Sequence, residues 1–280
     1  MITDVPGVTA GHWTDERALT GCTAILFPEG TRASGEVRGG APATREWDLL
    51  APERTVDRID AVVLCGGSAF GLAACDGAMR FCEEAGRGFA TPAGPVPIVV
   101  GAAIFDLAVG DASVRPGAAE GFAACAAAEA GHELPAGRVG AGTGATVGKW
   151  QGRPRPSGIG GATLRDGDLV VSALAVVNAF GDRYEPGSPP PAPPATQPFP
   201  VENTTLVVVA TNAELSKVEC LRVAQSGHTG MARALEPAHT AFDGDAVVAA
   251  GTGAVAADSE RVRLLAARVA EAAVRAPLGG

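Results

Sequence analysis

The sequence predicts an α/β fold in which helices pack against sheets in layers. Short runs of β-branched and aliphatic residues, typical of buried strands, recur along the chain between longer alanine-rich segments, typical of helices. Apolar residues make up 46% of the 280 residues, but aromatic residues only 5%. The core must therefore be built from small side chains that allow strands and helices to approach closely. A chain of this length can form one large domain or two small ones, and we expect a single domain over residues 1–280.

In the first half of the chain, apolar runs predict strands, and polar glycine-rich stretches predict loops. The expected elements are, in chain order, strands at 5–11 and 21–27, a mostly loop segment at 31–58, a strand at 60–65, a helix at 69–85, short extended pieces at 97–100 and 104–107, a helix at 118–130, and a glycine loop at 140–145.

The second half contains the clearest strand and helix patterns. The expected elements are a strand at 169–178, a strand from Leu206, helices at 216–225 and 229–235, a strand at 246–250, and a helix at 257–275 with Val262, Leu265, Val269 and Ala273 on one face. Proline lacks the N–H and restricts φ, so the proline-rich residues 185–203 predict an extended, exposed linker.

Charge and cysteine usage exclude several classes of protein. The net charge is −9 and no basic stripe is present, so binding to nucleic acid or to an anionic membrane is not expected. No signal peptide and no apolar run of membrane-spanning length is evident, which predicts a cytoplasmic protein. The six cysteines form no CxxC pair and the four histidines are scattered, so we expect neither a metal nor a cofactor.

The sequence around Thr204 is the strongest candidate for chemistry. Asn203-Thr204 lies between the proline-rich linker and the apolar run that begins at Leu206. A threonine at the start of a core strand, behind a linker that can be cut, is what an N-terminal nucleophile requires, because cleavage frees an α-amine that can act as the base. An ordinary loop before a strand explains the same residues, and the Asn-Thr-Thr pattern is also a glycosylation acceptor in secreted proteins.

Other polar residues occur beside predicted core segments. Asp243-Gly244-Asp245 offers two carboxylates, although an Asp-Gly turn explains it as well. Lys149 follows the glycine loop and can depress the pKa of a nearby amine, whereas most lysines are simply solvated. Asn178 ends a strand, where its amide can donate to an oxyanion or satisfy the backbone.

The glycine-rich turns also allow a different nucleophile. Residues 140–145 fit neither a dinucleotide-binding nor a Walker pattern. Gly66-Gly67-Ser68 follows a predicted strand as a nucleophile elbow does, although Phe70 stands where that motif needs glycine. A hydrolase that uses Ser68 is therefore kept as an alternative, beside a non-enzymatic protein that binds a small metabolite.

Eight segments, in order along nearly the whole chain, resemble the self-processing aminopeptidase/esterase family of DmpA-like peptidases. They are GVTAGHWTD, GGAPATREWDLL, VVLCGGSAFGLAACDGAMR, PVPIVVGAAIFDL, VGAGTGATVGK, AVVNAFGD, ENTTLVVVATNAEL and HTAFDGD. The NTT and DGD motifs are most similar to the branch that hydrolyses 6-aminohexanoate (nylon) oligomers. The resemblance implies an αββα sandwich of the N-terminal-nucleophile type, cut into fragments 1–203 and 204–280 that remain associated, and a homo-oligomer, often a tetramer.

The resemblance also implies roles for individual residues. Thr204 would be the nucleophile and Asn203-Thr204 the cleavage site. The remaining roles fall on Asp243 and Asp245 for positioning the amine and hydroxyl, Lys149 for tuning the amine, Asn178 for the oxyanion, and Phe105, Gly142 and Gly144 for the substrate. The substrate would be a short amide or a peptide-like molecule, with aminopeptidase, D-esterase or β-peptidase activity as alternatives.

Two positions depart from the family pattern. Phe105 stands where the nylon-oligomer branch has a tyrosine, so the hydroxyl of that tyrosine is absent here. Gly148 stands where the aminopeptidase branch has a tyrosine, which argues against a simple transfer of aminopeptidase activity.

Overall fold

The structure is a computed structural model that describes residues 1–189 and 203–279. Most of the predicted proline-rich linker, residues 190–202, lies outside the described residues. The strands are β1 Thr9–Asp15, β2 Thr20–Leu26, β3 Arg32–Val37, β4 Thr44–Arg45, β5 Ala61–Cys65, β6 Phe89–Thr91, β7 Gly94–Val96, β8 Val99–Ala103, β9 Thr146–Val147, β10 Arg155–Pro156, β11 Ile159–Asp166, β12 Leu169–Asn178, β13 Asp182–Arg183, β14 Thr204–Ala213, β15 Leu235–Glu236 and β16 Ala246–Val255. The helices are α1 Ser68–Gly71, α2 Ala74–Glu84, α3 Ala118–Glu129, α4 Lys217–Ala234 and α5 Ser259–Arg275.

The longer strands form two five-stranded sheets. The first sheet has the order β1-β2-β5-β8-β4, and the second has the order β11-β12-β14-β16-β3. Neighbouring strands are antiparallel except β5 with β8 and β14 with β16. A parallel pair needs a crossover connection, and α4 lies in the connection between β14 and β16.

The two sheets are stacked, and helices cover their outer faces. One buried cluster, which includes Leu64 and Val208, contains residues of both sheets and therefore lies between them. A second cluster joins the first sheet to α2 and α3, and a third joins the second sheet to α4 and α5. This order of layers is an αββα sandwich, as the resemblance implies, and it confirms the predicted α/β class.

Several predicted boundaries were wrong. The loop predicted at 31–58 contains β3, an edge strand whose Ser34 hydroxyl bonds the Leu50 carbonyl, and its polar sequence concealed it. The strand predicted at 5–11 is β1, four residues later, and β11 was not predicted at all. The helix predicted at 69–85 is divided into α1 and α2, and residues 104–107 are not a strand.

The two helices predicted at 216–225 and 229–235 are one continuous helix, α4. The two glycines near the predicted break, Gly227 and Gly230, are required by packing. A Cβ on Gly227 would stand 2.8 Å from a Val247 methyl, and a Cβ on Gly230 would stand 2.2 Å from the Ala267 carbonyl oxygen. Glycine therefore lets α4 approach the sheet and α5 closely, and this contact outweighs a helix propensity cost of about 1 kcal/mol per glycine.

We expect Gly230→Ala to destabilise the protein, although alanine is the better helix former. The added methyl group collides with the α5 backbone, and such overpacking costs about 1–3 kcal/mol. The neighbouring Thr229→Ala is the matched control, because Thr229 is exposed and the change should be neutral or slightly stabilising. Thermal and denaturant midpoints measure both. A Gly230→Ala protein as stable as Thr229→Ala would contradict the close packing.

Candidate active site

Thr204 and Asn178 lie side by side at one end of the space between the sheets. Thr204 is the first residue of β14, and its register partner is Asn178, the last residue of β12. Side chains alternate along a strand, so Thr204 shares its face with Leu206, and Asn178 shares its face with Val176. Leu206 and Val176 both belong to the cluster between the sheets. Both polar residues are buried.

The carbonyl of Asn203 is held by a backbone donor beside the Thr204 hydroxyl. The Gly244 N–H donates to the Asn203 oxygen at 2.8 Å, and Thr204 Oγ1 lies 2.5 Å from the same oxygen. A donor in this place can stabilise negative charge on the oxygen if the hydroxyl attacks the carbonyl carbon.

Position 244 has room only for glycine, because a Cβ there would stand 2.6 Å from Thr204 Oγ1. The sequence drew attention to the two aspartates and not to the glycine between them. Its position inside the Asp-Gly-Asp motif was the available signal.

The amide of Asn178 has one chemically consistent orientation. Its Oδ1 accepts from the Lys149 ammonium at 2.8 Å and from the Thr146 N–H at 3.0 Å, and both groups can only donate. Its Nδ2 donates to the Phe105 carbonyl at 2.9 Å. Lys149 therefore acts on Asn178 directly, and the amide nitrogen faces the first sheet.

Phe105 joins the site through its backbone carbonyl, two residues beyond β8. Its ring is half-buried. The next residue, Asp106, is a buried carboxylate that accepts from the Gly67 N–H at 2.7 Å and the Thr20 hydroxyl at 2.8 Å. Burial raises the pKa of Asp106. Asp106 thus anchors the turn after β5 to the segment that carries Phe105.

Gly142 and Gly144 are both buried, and the structure shows a packing reason for each. A Cβ on Gly142 would lie 2.7 Å from the Ile159 nitrogen, and one on Gly144 would lie 2.3 Å from the Leu19 carbonyl oxygen. The loop that contains them leads to Thr146, which orients Asn178. A role for these glycines in substrate binding remains a prediction.

The two aspartates are buried, and each binds backbone N–H groups as well as one side chain. Asp243 accepts from the Phe180 N–H at 3.2 Å and from the N–H and hydroxyl of Thr240 at 3.0 and 2.5 Å. Asp245 accepts from the Thr205 N–H at 2.7 Å. Among the described residues, neither carboxylate hydrogen-bonds to Thr204 itself, so their effect on Thr204 passes through the neighbouring backbone.

Strand β3, which the sequence analysis missed, leads into a loop that holds the Asp-Gly-Asp backbone. The N–H groups of Arg38 and Gly39 donate to the Asp245 carbonyl at 2.9 and 3.2 Å, and the Ala41 N–H donates to the Asp243 carbonyl at 2.9 Å. A Cβ on Gly39 would stand 2.2 Å from the Asp243 carbonyl oxygen, so only glycine lets the two backbone segments lie this close.

Ser68, the alternative nucleophile, has no base beside it in the described part of the chain. It has a positive φ of 55° at the turn between β5 and α1, and its N–H donates to the Ile104 carbonyl. Within residues 1–189 and 203–279, its hydroxyl makes no hydrogen bond to a histidine or carboxylate. The elbow shape is therefore present without the activating partner that a serine hydrolase needs.

A sequence profile of peptidase family S58 matches residues 1–278. The chain belongs to peptidase family S58. An uncharacterized aminopeptidase of Mycobacterium tuberculosis is 44% identical in an alignment of 295 positions that covers 92% of this chain and 83% of that protein. A 6-aminohexanoate-oligomer endohydrolase of Kocuria sp. is 33% identical in an alignment of 279 positions that covers 89% of this chain and 74% of that protein.

Two solved structures of amide-hydrolysing enzymes have the same fold as this chain. The L-aminopeptidase D-Ala-esterase/amidase of Ochrobactrum anthropi, described as a variant of the Ntn hydrolase fold, has a TM-score of 0.75 at 20% identity, covering 98% of this chain and 84% of that one. A Burkholderia sp. β-aminopeptidase has a TM-score of 0.74 at 23% identity, covering 99% and 84%. This member of family S58 thus has the fold of those two enzymes and is a hydrolase that acts on amide bonds.

The described residues contain neither a metal-binding cluster nor a membrane-spanning helix. Residues 1–189 and 203–279 contain no group of three or more His, Cys, Asp or Glu side chains that could hold a metal ion. In the same part of the chain, no helix has both the length and the apolar character needed to cross a membrane.

We expect the stability of the protein to depend on pH through Asp243. Burial, and secondarily the charge of Asp245, raises the pKa of Asp243 from 3.8 to about 6. As the pH rises, the unfolded state therefore loses this proton before the folded state does. The resulting stabilisation of the folded state is complete below about pH 4 and is lost as the pH rises through about 6.

The comparison of wild type with Asp243→Asn reports on Asp243 together with its electrostatic partner Asp245, because groups away from this pair titrate alike in both proteins. The stability of wild type relative to Asp243→Asn should fall by up to about 3 kcal/mol between pH 4 and pH 7. Denaturant unfolding at each pH gives the difference, and parallel pH curves for the two proteins would contradict the raised pKa.

Proposed function

We propose that this member of family S58 cleaves itself between Asn203 and Thr204 and then uses the N-terminal Thr204 to hydrolyse short amides. One observation carries the proposal: the Thr204 hydroxyl lies against a carbonyl whose oxygen already accepts the Gly244 N–H. Family membership supports the reaction class, and the Ntn-type fold supports an N-terminal nucleophile. Cleavage would yield the fragments 1–203 and 204–280.

The first reaction is intramolecular. Thr204 Oγ1 attacks the Asn203 carbonyl carbon, and Gly244 stabilises the negative charge on the oxygen. The C–N bond breaks, the nitrogen takes the hydroxyl proton, and the acyl group passes to Oγ1 as an ester. Water hydrolyses this ester, which leaves a carboxylate on Asn203 and a free amine on Thr204.

The second reaction uses the new amine. It takes the proton of the Thr204 hydroxyl as the oxygen attacks a substrate amide, and later delivers the proton to the leaving amine. Asn178 is the proposed donor to the oxyanion, because it lies opposite Thr204 and its orientation is set by Lys149 and Thr146. Water then releases the acyl group and restores the hydroxyl.

The proposed substrates are short linear amides such as 6-aminohexanoate oligomers. The Kocuria relative is named for that activity. The Mycobacterium relative, at higher identity, is named an aminopeptidase, which keeps peptide and β-peptide amides as the second candidate. Parallel assays with a 6-aminohexanoate oligomer, an L-alanine anilide, a D-alanine amide and a β-alanine amide, ranked by kcat/KM, decide between the two.

We also propose a homotetramer of processed units, which mass photometry would test.

Thr204→Ala should yield one intact chain without amidase activity, because both reactions need the hydroxyl. Denaturing intact-mass spectrometry should find two fragments, divided after Asn203, in wild type. Thr204→Ser keeps a hydroxyl and should still be cut, and Ser68→Ala should be cut and active. Fragments in Thr204→Ala would refute the proposed nucleophile, and loss of activity in Ser68→Ala would favour the alternative one.

Asn178→Ala should lower kcat for amide hydrolysis by about 10²–10³, the usual loss when one oxyanion donor is removed. KM should change less, because the interaction develops mainly in the transition state. Steady-state kinetics of processed protein measures both constants, with the thermal midpoint as the check on folding. A kcat within a few-fold of wild type would assign the oxyanion to another donor.

A further inference from the structure

His239 hydrogen-bonds to the carboxylate of Asp245, which in turn accepts from the backbone next to the proposed nucleophile, Thr204. Its backbone N–H and its ring Nδ1 reach the same oxygen of Asp245, at 2.9 and 2.8 Å. The other oxygen of Asp245 accepts the N–H of Thr205 at 2.7 Å. A short chain of hydrogen bonds therefore joins His239 through Asp245 to the residue that follows Thr204.

The partners of two histidines determine which nitrogen of each ring carries the proton. A carboxylate oxygen accepts, so Nδ1 of His239 must donate. Nε2 of His228 lies 2.9 Å from the Glu36 carbonyl oxygen, which also only accepts, so this nitrogen must donate. The two rings meet edge to face, with centroids 4.9 Å apart.

The second nitrogen of each ring, His239 Nε2 and His228 Nδ1, is buried and has no hydrogen-bond partner among the described residues. Within the described residues, each ring therefore forms its hydrogen bond through one nitrogen alone, Nδ1 in His239 and Nε2 in His228.

The other ionisable groups around His239 are accounted for. The Glu36 carboxylate is paired with Arg38 at 2.7 Å and accepts from Gln225 at 3.1 Å. Burial lowers the pKa of His228 to about 4, so this ring adds no charge at neutral pH. Asp243 lies two residues from Asp245 and is bound by Phe180 and Thr240. His239 is thus the side chain that contacts the Asp245 carboxylate directly.

We propose that His239 is a positioning residue, whose Nδ1–H keeps the Asp245 carboxylate directed at Thr205, so that the start of β14 holds Thr204 in the position it needs to react. This inference rests on the proposed function of Thr204. It does not make His239 a base, because its ring contacts Asp245 and not the reacting atoms. His228 supports the ring of His239 from α4.

Backbone geometry at position 239 permits a matched pair of variants. His239 has a positive φ of 57°, a conformation that asparagine and glycine tolerate better than other residues. His239→Asn retains an N–H donor at the position of Nδ1. His239→Gly removes that donor and leaves the backbone N–H.

The experiment compares kcat and KM for amide hydrolysis in the processed variants. His239→Gly should lower kcat about tenfold, because the Asp245 carboxylate loses the donor that directs it at Thr205. KM should remain within about twofold of wild type, and His239→Asn should restore kcat. A His239→Gly variant with the wild-type kcat, or equal losses of kcat in both variants, would overturn the proposal.

A second measurement needs no functional variant. Two-bond ¹⁵N–¹H correlation spectra of histidine-labelled protein report the tautomer of each of the four histidines, and the signal lost in His239→Asn assigns that residue. The proposal requires the Nδ1–H form of His239 at neutral pH, and the opposite tautomer overturns it. An uncut, inactive wild type would remove the proposed function itself, whereas a cut, active wild type that fails these tests removes only the role of His239.

Discussion

The antiparallel register between β12 and β14 is the constraint on which the site depends. It places Asn178, which ends one strand, opposite Thr204, which begins the other. Because side chains alternate, a slip of one residue would turn Thr204 towards the helix layer and bring Thr205 into the space between the sheets. The valine-rich strands oppose such a slip. It would move the side chains that now pack between the sheets to the helix layer, and those that pack against the helices into the space between the sheets. Hydrophobic packing far from the chemistry therefore determines where the hydroxyl points.

A buried polar network stabilises the other side of the site. Asp243 and Asp245 are almost fully buried, and in the described residues no lysine or arginine is paired with them. Backbone N–H groups from several segments surround them instead, together with Thr240 and His239. Such donors reduce the cost of burying charge and also fix direction, because a backbone group cannot rotate away. The network thus holds the Asp-Gly-Asp backbone rigidly against Asn203.

The sequence was informative wherever one local pattern determined the structure. The valine-rich runs predicted β12 and β14, and the periodic apolar residues of α5 predicted a face that is buried. Thr204 and Asn178 could be named because each adjoins such a run, and Lys149 because it follows the glycine loop. The resemblance joined the three into one site. The failures were decided by distant contacts. Strand β3 is a strand because it pairs with β16. Helix α4 continues through its two glycines because they let it pack closely against the second sheet and α5. Gly244 and His239 were missed because their partners are backbone groups and a carboxylate that only the fold brings near.

The order of strands in the second sheet has a consequence for a chain cut after Asn203. The neighbours β14 and β16 would belong to the shorter fragment, whereas β12 on one side and β3 on the other would belong to the longer one. Eight register pairs join β12 to β14, and six join β16 to β3. The shorter fragment is therefore flanked on both edges by its former chain, and it can leave only if two ladders of hydrogen bonds separate together. Cleavage of the covalent link would make the molecule a heterodimer in which the second sheet is built from both halves, whereas the first sheet lies wholly in the longer one.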